Sequence, residues 1–264
     1  NYDPKRMELS TRDRVAKANY QEIIEGRATP NGGVYLDISH KSKDFIMEKI
    51  PKIYRQFIEY QMLDISKKPM EVAPTAHYSM GGVAVEAHSH KTSIDGLFAA
   101  GEVAGGLHGA NRLGGNSLAE ILVFGKRAGK YAASRSRNLE NHKRSISKVD
   151  QAIINLKNLI KPGNQLVIPL QNKLREVMWN YCGVVRDQEG LKKGINELQE
   201  LKKLSNDLDV RLDGHNFNDL INAYDFKASL MSSESTLISA LERKESRGSH
   251  QRTDFHNEND AFNL

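Results

Sequence analysis

The chain has 264 residues, 39% of them hydrophobic, and is therefore long enough for one large domain or two ordinary ones with a substantial core. Its 38 basic and 33 acidic residues leave a net charge of +5, but the two signs are interspersed along the sequence, which argues against a nucleic-acid-binding protein. A single cysteine, Cys182, excludes an intrachain disulfide and suits a reducing compartment, and no apolar run reaches the roughly 18 residues that a membrane span requires.

The first part of the chain predicts helices around one short strand. Apolar residues recur at helical spacing over residues 7 to 25, with Ser10 or Thr11 as a candidate N-cap and Gly26 as the stop. The sequence NGGVYLDI then predicts a turn and a short β-strand. The stretch KDFIMEKIPKIYRQFIEYQ predicts a helical segment that Pro51 interrupts.

The middle and the end of the chain differ in composition. Residues 69 to 135 combine two strand-like runs bounded by glycine, MGGVAVEA and GLFAAGEV, with one long predicted helix, SLAEILVFGKRAGKYAAS. From about residue 136 the sequence is polar, and its apolar spacing predicts helices at 168 to 183, 187 to 205 and 216 to 243, before an irregular polar tail. The predicted fold class is α/β followed by an all-α helical bundle.

The sequence GLHGANRLGGNSLAE places a glycine-rich stretch directly before the long helix. A helix that begins near Ser117 leaves its first N–H groups unpaired and its positive dipole end exposed, which favours anionic ligand atoms there. Gly109, Gly114 and Gly115 allow the backbone to approach such a ligand closely. The alternative is a glycine-rich turn that only caps a buried helix, and this stretch alone does not decide between the two.

Other polar residues near this stretch are candidates for ligand contacts. Glu102 would lie at the carboxyl end of the strand-like GLFAAGE, where open α/β sheets place their ligands, and His77 lies in the Pro- and Gly-flanked PTAHYSMGG. The pair His88 and His90 has a spacing that can bind a metal. No third ligand is near in the sequence, so we predict a solvated loop and no metal site.

Five motifs occur in order along the chain: STRDRVAKA, GGVYLDISH, PTAHYSMGG, GLFAAGE and HGANRLGGNSLAE; the tail adds ESRGSHQRTDF. In this order and spacing they resemble the flavoprotein subunit of succinate dehydrogenase and fumarate reductase, a family that also contains the L-aspartate oxidases. The resemblance runs across nearly the whole chain but covers only the C-terminal half of the family, since the fingerprint GxGxxG is absent. Together with the opening sequence NYDPKRMELSTRDRV, this leads us to expect a fragment or one piece of a split gene.

The resemblance implies three parts and a set of partners. Residues 1 to 68 would be the end of the capping domain that closes over the substrate, and residues 69 to 135 the C-terminal part of a Rossmann-like FAD-binding domain. Residues 136 to 264 would form a helical C-terminal domain with an irregular tail. The implied partners are a dicarboxylate substrate, the missing N-terminal FAD-binding half and an iron–sulfur subunit, but no nucleic acid. The implied location is the cytoplasm, or the inner face of the cell membrane through partner subunits.

The resemblance also implies roles in substrate chemistry for three residues. Arg12 matches the family arginine that passes a proton to or from the substrate carbon, although arginine ordinarily stays charged in proteins. His77 and Arg112 match the residues that bind the substrate carboxylates, and a planar guanidinium suits bidentate binding of a carboxylate. Without the resemblance, Arg12 would be interpreted as a surface helix residue, His77 as a structural histidine and Arg112 as the ion-pair partner of another loop residue.

Four further residues match positions that hold the implied cofactor, FAD. Glu102 would bind the polyol or ribose, and Asn116, Ser117 and Leu118 would bring the helix start beside the flavin ring. Since reduced flavin is anionic around N1 and the C2 carbonyl, a helix N-terminus there would stabilise it and raise its potential.

The sequence favours one branch of the family. L-aspartate oxidases usually carry NRLASNS where this chain has NRLGGNS, and the Gly114-Gly115 form, like KPMEVAPTAHYSMGG, resembles the succinate dehydrogenase and fumarate reductase branch. We therefore predict an enzyme that interconverts succinate and fumarate by hydride transfer at flavin N5. Two alternatives stay open: an L-aspartate oxidase, and a non-catalytic subunit that only docks a partner.

Overall fold

The computed structural model describes residues 2–6, 10–140, 145–212 and 218–263. The chain divides into two compact units, residues 1 to 77 and residues 78 to 264, and each is described by itself below. The domain boundaries predicted at residues 68 and 135 stay predictions.

The described residues of the first unit form three α-helices and a two-stranded sheet. Its elements are α1 (Arg12–Glu22), β1 (Val34–Leu36), α2 (Lys43–Lys49), α3 (Pro51–Gln61) and β2 (Met70–Val72). The strand predicted from NGGVYLDI is confirmed as β1, which pairs antiparallel with β2. Pro51 separates α2 from α3 as predicted, because proline fits the first turn of a helix but not its interior.

The helix predicted over residues 7 to 25 is shorter at its start. Thr11 is extended and α1 begins at Arg12, while residues 7 to 9 lie outside the described residues. At the other end, Ile23–Arg27 forms one wider helical turn, in which Gly26 has a φ of 81°. Glycine adopts this left-handed conformation at low cost, so the predicted stop at Gly26 is confirmed.

The second unit opens with a segment of turns. The strands predicted in MGGVAVEA and GLFAAGEV were wrong, since these runs form only isolated bridges, Val83 with Ala104 and Lys91 with Phe98. Turns close the chain between those bridges: the Thr92 N–H, for example, donates to the Leu97 carbonyl at 3.0 Å. Glu102 accordingly lies in a turn and not at the end of a strand, which corrects the sequence prediction.

Five α-helices follow in the described residues of the second unit. The long helix predicted from SLAEILVFGKRAGKYAAS is confirmed as α4, and the three helices predicted after residue 160 are confirmed as α6, α7 and α8. A further helix, α5, was not predicted. The elements are α4 (Asn116–Arg137), α5 (Ile146–Lys157), α6 (Val167–Cys182), α7 (Gln188–Leu204) and α8 (Asp219–Glu242). In the described ranges, no helix combines the length and the apolar character that crossing a membrane would require.

The helices α6, α7 and α8 enclose the main hydrophobic core. Leu191, Leu198, Phe226 and Leu237 are fully buried in it, and the buried position of Cys182 raises the pKa of its thiol. A side chain at Gly194 would have its Cβ 2.9 Å from Leu237, so glycine permits the close approach of α7 to α8.

The tail after α8 is irregular, as predicted, but buried charges hold it in place. Glu245 is fully buried and accepts hydrogen bonds from Arg243 at 2.5 Å, from Arg247 at 3.1 Å and from the Asn259 N–H at 2.8 Å. Arg252, also buried, donates to the Ala240 carbonyl at 2.7 Å. The polar composition of the tail therefore reflects internal pairing as well as contact with solvent.

We expect His250 to make the protein less stable at acid pH. Its buried ring accepts a hydrogen bond at Nδ1 from Arg186 and donates from Nε2 to the Arg243 carbonyl, so it is neutral. Burial, together with nearby arginines, lowers its pKa to about 4. Because the unfolded chain binds this proton more readily, unfolding takes up a proton between about pH 6.5 and pH 4, and stability falls with falling pH by up to roughly 3 kcal/mol.

Urea unfolding at several pH values checks this expectation. His250→Gln should flatten the pH dependence of the free energy of unfolding in that window, whereas His256→Gln, at an exposed position, should leave it unchanged. If the free energy of unfolding depended on pH equally in wild type and in His250→Gln, His250 would not be the residue responsible.

Candidate functional site

A glycine-rich loop leads into α4 in the second unit. Gly106, Gly109 and Gly115 have φ values of 101°, 55° and 84°, a region that other residues rarely adopt. The helix begins at Asn116, one residue before the predicted start at Ser117, and Gly115 is its N-cap. Glycine has no side chain to cap the first N–H groups of α4, and two of these groups, those of Asn116 and Leu118, donate instead to the backbone carbonyls of Leu113 and Gly115 at 3.3 and 3.1 Å.

Arg112 lies in this loop and is half-buried. Its guanidinium carbon is 4.5 Å from the centre of the Tyr78 ring, and its Nη1 donates to the Leu113 carbonyl at 3.2 Å. Its Nε is buried and has no hydrogen-bond partner within the described residues. Leaving a buried charged donor unpaired is costly, so an anionic ligand on Arg112 would relieve this cost.

The sequence analysis missed a buried polar cluster beside Arg112. Glu120, in the second turn of α4, is 4% exposed; its carboxylate accepts hydrogen bonds from the Tyr78 hydroxyl and, at 2.9 Å, from His108 Nε2. The rings of Tyr78 and His108 meet edge to face, with centroids 5.4 Å apart. The available signal was a single acid within the apolar run LAEILVF, since an acid on a buried helix face needs partners.

Two groups of the cluster, Tyr78 and Glu120, are each held in one charge state. Burial and the hydrogen bond to Glu120 raise the pKa of Tyr78 to about 12, so its hydroxyl stays protonated and donates. Burial acts to raise the pKa of Glu120, but the hydrogen bonds from Tyr78 and His108 outweigh it, and the pKa lies below its ordinary value. An ionised Glu120 thus fixes the ring of Tyr78, on which Arg112 stacks.

Glu120→Gln is expected to lower the free energy of unfolding by about 1 to 3 kcal/mol, because the buried donors of Tyr78 and His108 lose a charged acceptor. Urea unfolding measures this effect. Glu140→Gln, an exposed position just after α4, is the matched control and should change little. If Glu120→Gln were as stable as the control, the cluster would contribute nothing to the free energy of unfolding.

Glu102 connects two backbone segments of the same unit through a hydrogen bond. The residue is exposed, and its Oε1 accepts a hydrogen bond from the Ser79 N–H at 2.9 Å. Two further backbone bonds, Val83 N–H to the Val103 carbonyl at 2.7 Å and Gly105 N–H to the Val83 carbonyl at 3.1 Å, hold the two segments together. The carboxylate is therefore oriented by the backbone while still reachable from solvent.

The remaining predicted site residues lie as follows. Asn116 and Leu118 are exposed and Ser117 is half-buried in the first turn of α4. In the first unit, Arg12 is the exposed first residue of α1, and His77 is exposed in the irregular segment after β2. The structure thus places Arg112 and the residues of the α4 start on one loop and helix of the second unit, while Arg12 and His77 belong to the first.

The described part of the chain contains no group of three or more His, Cys, Asp or Glu side chains placed to hold a metal ion. Of the H-x-H pair, His88 is exposed, while His90 is buried with its Nδ1 3.0 Å from the Ala99 carbonyl oxygen. The ring of His90 also lies against Phe124, with centroids 4.7 Å apart. These contacts are typical of a histidine with a structural role.

Two family models match the chain. The FAD binding domain model matches residues 1–118, and the model for the C-terminal part of the fumarate reductase flavoprotein matches residues 171–263. Together with the glycine-rich start of α4, these matches define a flavoprotein whose cofactor is FAD.

Similar proteins indicate which kind of flavoprotein the chain resembles. The chain is 44% identical to a subunit of the CoM/CoB fumarate reductase of Methanothermobacter marburgensis, over 96% of this chain and 46% of the relative. It is 38% identical to the fumarate reductase flavoprotein subunit of Escherichia coli, over 95% of this chain and 43% of the relative. Among solved structures, the Mycobacterium smegmatis Sdh1 complex in the apo form matches with a TM-score of 0.86 and 39% identity, over 97% of this chain and 44% of that chain.

The chain is thus similar, over nearly its whole length, to flavoprotein subunits of fumarate reductase and succinate dehydrogenase, and the resemblance that its motifs predicted is confirmed. It spans about half the length of the curated relatives it matches.

Proposed function

We propose that the chain is part of an FAD-dependent oxidoreductase that interconverts succinate and fumarate. The observation that carries the proposal is Arg112, a half-buried guanidinium whose Nε lacks a partner among the described residues, on a glycine-rich loop at the start of α4. A dicarboxylate would supply the missing acceptor. The relatives named as fumarate reductase and succinate dehydrogenase subunits support this choice of substrate.

Four residues of the second unit would hold FAD: Glu102, Asn116, Ser117 and Leu118. The residues fit the group, because the carboxylate of Glu102 is oriented yet exposed, and the N-cap Gly115 places no side chain over the positive dipole end of α4, which favours an electron-rich ring. Bound FAD would supply the site that accepts or donates a hydride, at its N5 atom.

The chain's own residues would bind the substrate and move its proton. Arg112 and His77 bind the two carboxylates, and the planar fork of Arg112 fixes the orientation of the one it holds. Binding of its carboxylates orients a small dicarboxylate, so that proximity contributes to the rate. Arg12 passes a proton to or from the substrate carbon.

The electron partner we propose is an iron–sulfur subunit. The relatives are named as subunits, which supports assembly with other chains. A position at the inner face of the cell membrane, reached through partner subunits, is part of this proposal.

The test uses a reconstituted flavoprotein, in which the chain is co-expressed with the part of the Methanothermobacter marburgensis relative that it does not match. We expect the purified protein to carry flavin and to reduce an electron-accepting dye with succinate but not with L-aspartate. Dye reduction with L-aspartate alone would identify an aspartate oxidase instead. A folded complex without flavin would favour a non-catalytic docking subunit.

A further inference from the structure

A tight turn in the C-terminal tail contacts the loop that carries Arg112. In this 247–250 turn, the Arg247 N–H donates to the His250 carbonyl at 2.8 Å, and the His250 N–H donates back at 3.0 Å. Ser249 donates both its backbone N–H and its hydroxyl to the carbonyl oxygen of Ala110, each at 2.9 Å. One carbonyl thus receives two hydrogen bonds from a residue 139 positions away in sequence.

Gly248 brings the two backbones close together. It has a φ of 57°, and a Cβ placed on it would lie 2.6 Å from the Ala110 oxygen and 2.8 Å from the Ala110 carbonyl carbon. Both distances are shorter than a carbon atom can tolerate against backbone. Any side chain at position 248 would therefore push the turn away from the loop.

The 247–250 turn is itself anchored on the helical part of the unit. Arg247 donates to the fully buried Glu245 at 3.1 Å, and His250 bonds to Arg186 and to the Arg243 carbonyl. Since Glu245 and His250 are buried, the turn presents Ser249 to the loop from a fixed position.

The loop needs an anchor of this kind. Gly109 and Gly115, with positive φ values, flank Ala110 and Arg112, and glycines leave a backbone many alternative conformations. Ala110 lies two residues before Arg112, so fixing its carbonyl limits the directions in which the backbone can aim the guanidinium. The stacking of Arg112 on Tyr78 holds the other end of the side chain.

We propose that Ser249 and Gly248 are positioning residues for substrate binding, which act by holding the Ala110 carbonyl and so aiming Arg112 at a carboxylate. This inference rests on the proposed function, in which Arg112 binds the substrate. Neither residue needs to touch the substrate. The C-terminal tail would then set the affinity of the site for dicarboxylates from outside the site.

The experiment measures binding of malonate, a dicarboxylate that cannot be oxidised to an alkene, from the change it causes in the flavin spectrum of the reconstituted flavoprotein. Ser249→Ala removes one of the two hydrogen bonds to Ala110 and is expected to weaken malonate binding about fivefold, with a similar rise in KM for succinate and a smaller change in kcat. Ser249→Thr keeps the hydroxyl and should restore binding. Gly248→Ala should weaken binding further.

The matched control is Ser235→Ala, which removes a hydroxyl bonded to the Met231 carbonyl at 3.0 Å on α8. It should leave malonate binding unchanged. The inference would be overturned if Ser249→Ala bound malonate as tightly as wild type, even if its melting temperature changed. It would also be overturned if Ser235→Ala lost as much malonate affinity as Ser249→Ala. If wild type binds no malonate, the proposed function fails as well; if only the variant comparison fails, the proposed function stands.

Discussion

Replacing Arg12 by alanine is expected to lower succinate-dependent dye reduction by about 10²- to 10⁴-fold, the usual contribution of a positioned proton-transfer group. The flavin content and the affinity for malonate should stay at the wild-type level, because Arg12 is the exposed first residue of α1 and takes no part in the core of its unit. Steady-state kinetics on the reconstituted flavoprotein, with flavin quantified from its absorbance, provide the measurement.

Arg14 supplies the matched control for this experiment. It lies two residues further along the same helix, is largely exposed, and forms a long ion pair of 3.7 Å with Asp3. Arg14→Ala should leave turnover near the wild-type rate, since an exposed ion pair contributes little. Turnover in Arg12→Ala that matches the Arg14→Ala rate would remove Arg12 from the proton-transfer step.

Replacing Arg112 by alanine is expected to raise KM for succinate by about 10²-fold or more, because two charge-assisted hydrogen bonds to one carboxylate are lost. Arg112→Lys should recover only part of this loss, since an ammonium keeps the charge but lacks the planar fork. Malonate binding, read from the flavin spectrum, should weaken in parallel with the rise in KM.

The control here is Arg127→Ala on α4, because Arg127 also stacks on an aromatic ring, that of Phe124 at 5.4 Å. Its loss should not affect KM. Full recovery of KM in Arg112→Lys would show that only the charge matters at this position. An unchanged KM in Arg112→Ala would place substrate binding elsewhere.

Local sequence patterns predicted the long helices but not the segment before α4. The apolar periodicity of α4, α6, α7 and α8 extends over many turns and is independent of neighbours, so it is visible in sequence. A strand, in contrast, exists only with a partner. The runs around Val83 and Phe98 have the composition of strands, yet each makes a single bridge, which no local pattern could reveal.

In the site, too, local patterns predicted some features, whereas others depend on contacts between distant residues. The local sequence predicted the start of α4 to within one residue, near Ser117 where the helix begins at Asn116. The pairing of Tyr78 with Glu120 joins residues 42 positions apart, and the contact of Ser249 with Ala110 spans 139 positions. Such contacts depend on how the chain folds back on itself, so the sequence analysis identified the glycines before α4 but missed Glu120 and Ser249.

One measurement tests the central claim most directly. The reconstituted flavoprotein is reduced under anaerobic conditions, and one equivalent of fumarate is then added while the visible absorbance of oxidised flavin is recorded. We predict that the absorbance returns and that succinate forms in an amount equal to the flavin, whereas the Arg112→Ala variant stays reduced at the same fumarate concentration. A flavin that stays reduced in the wild-type protein, with no succinate formed, would contradict the account.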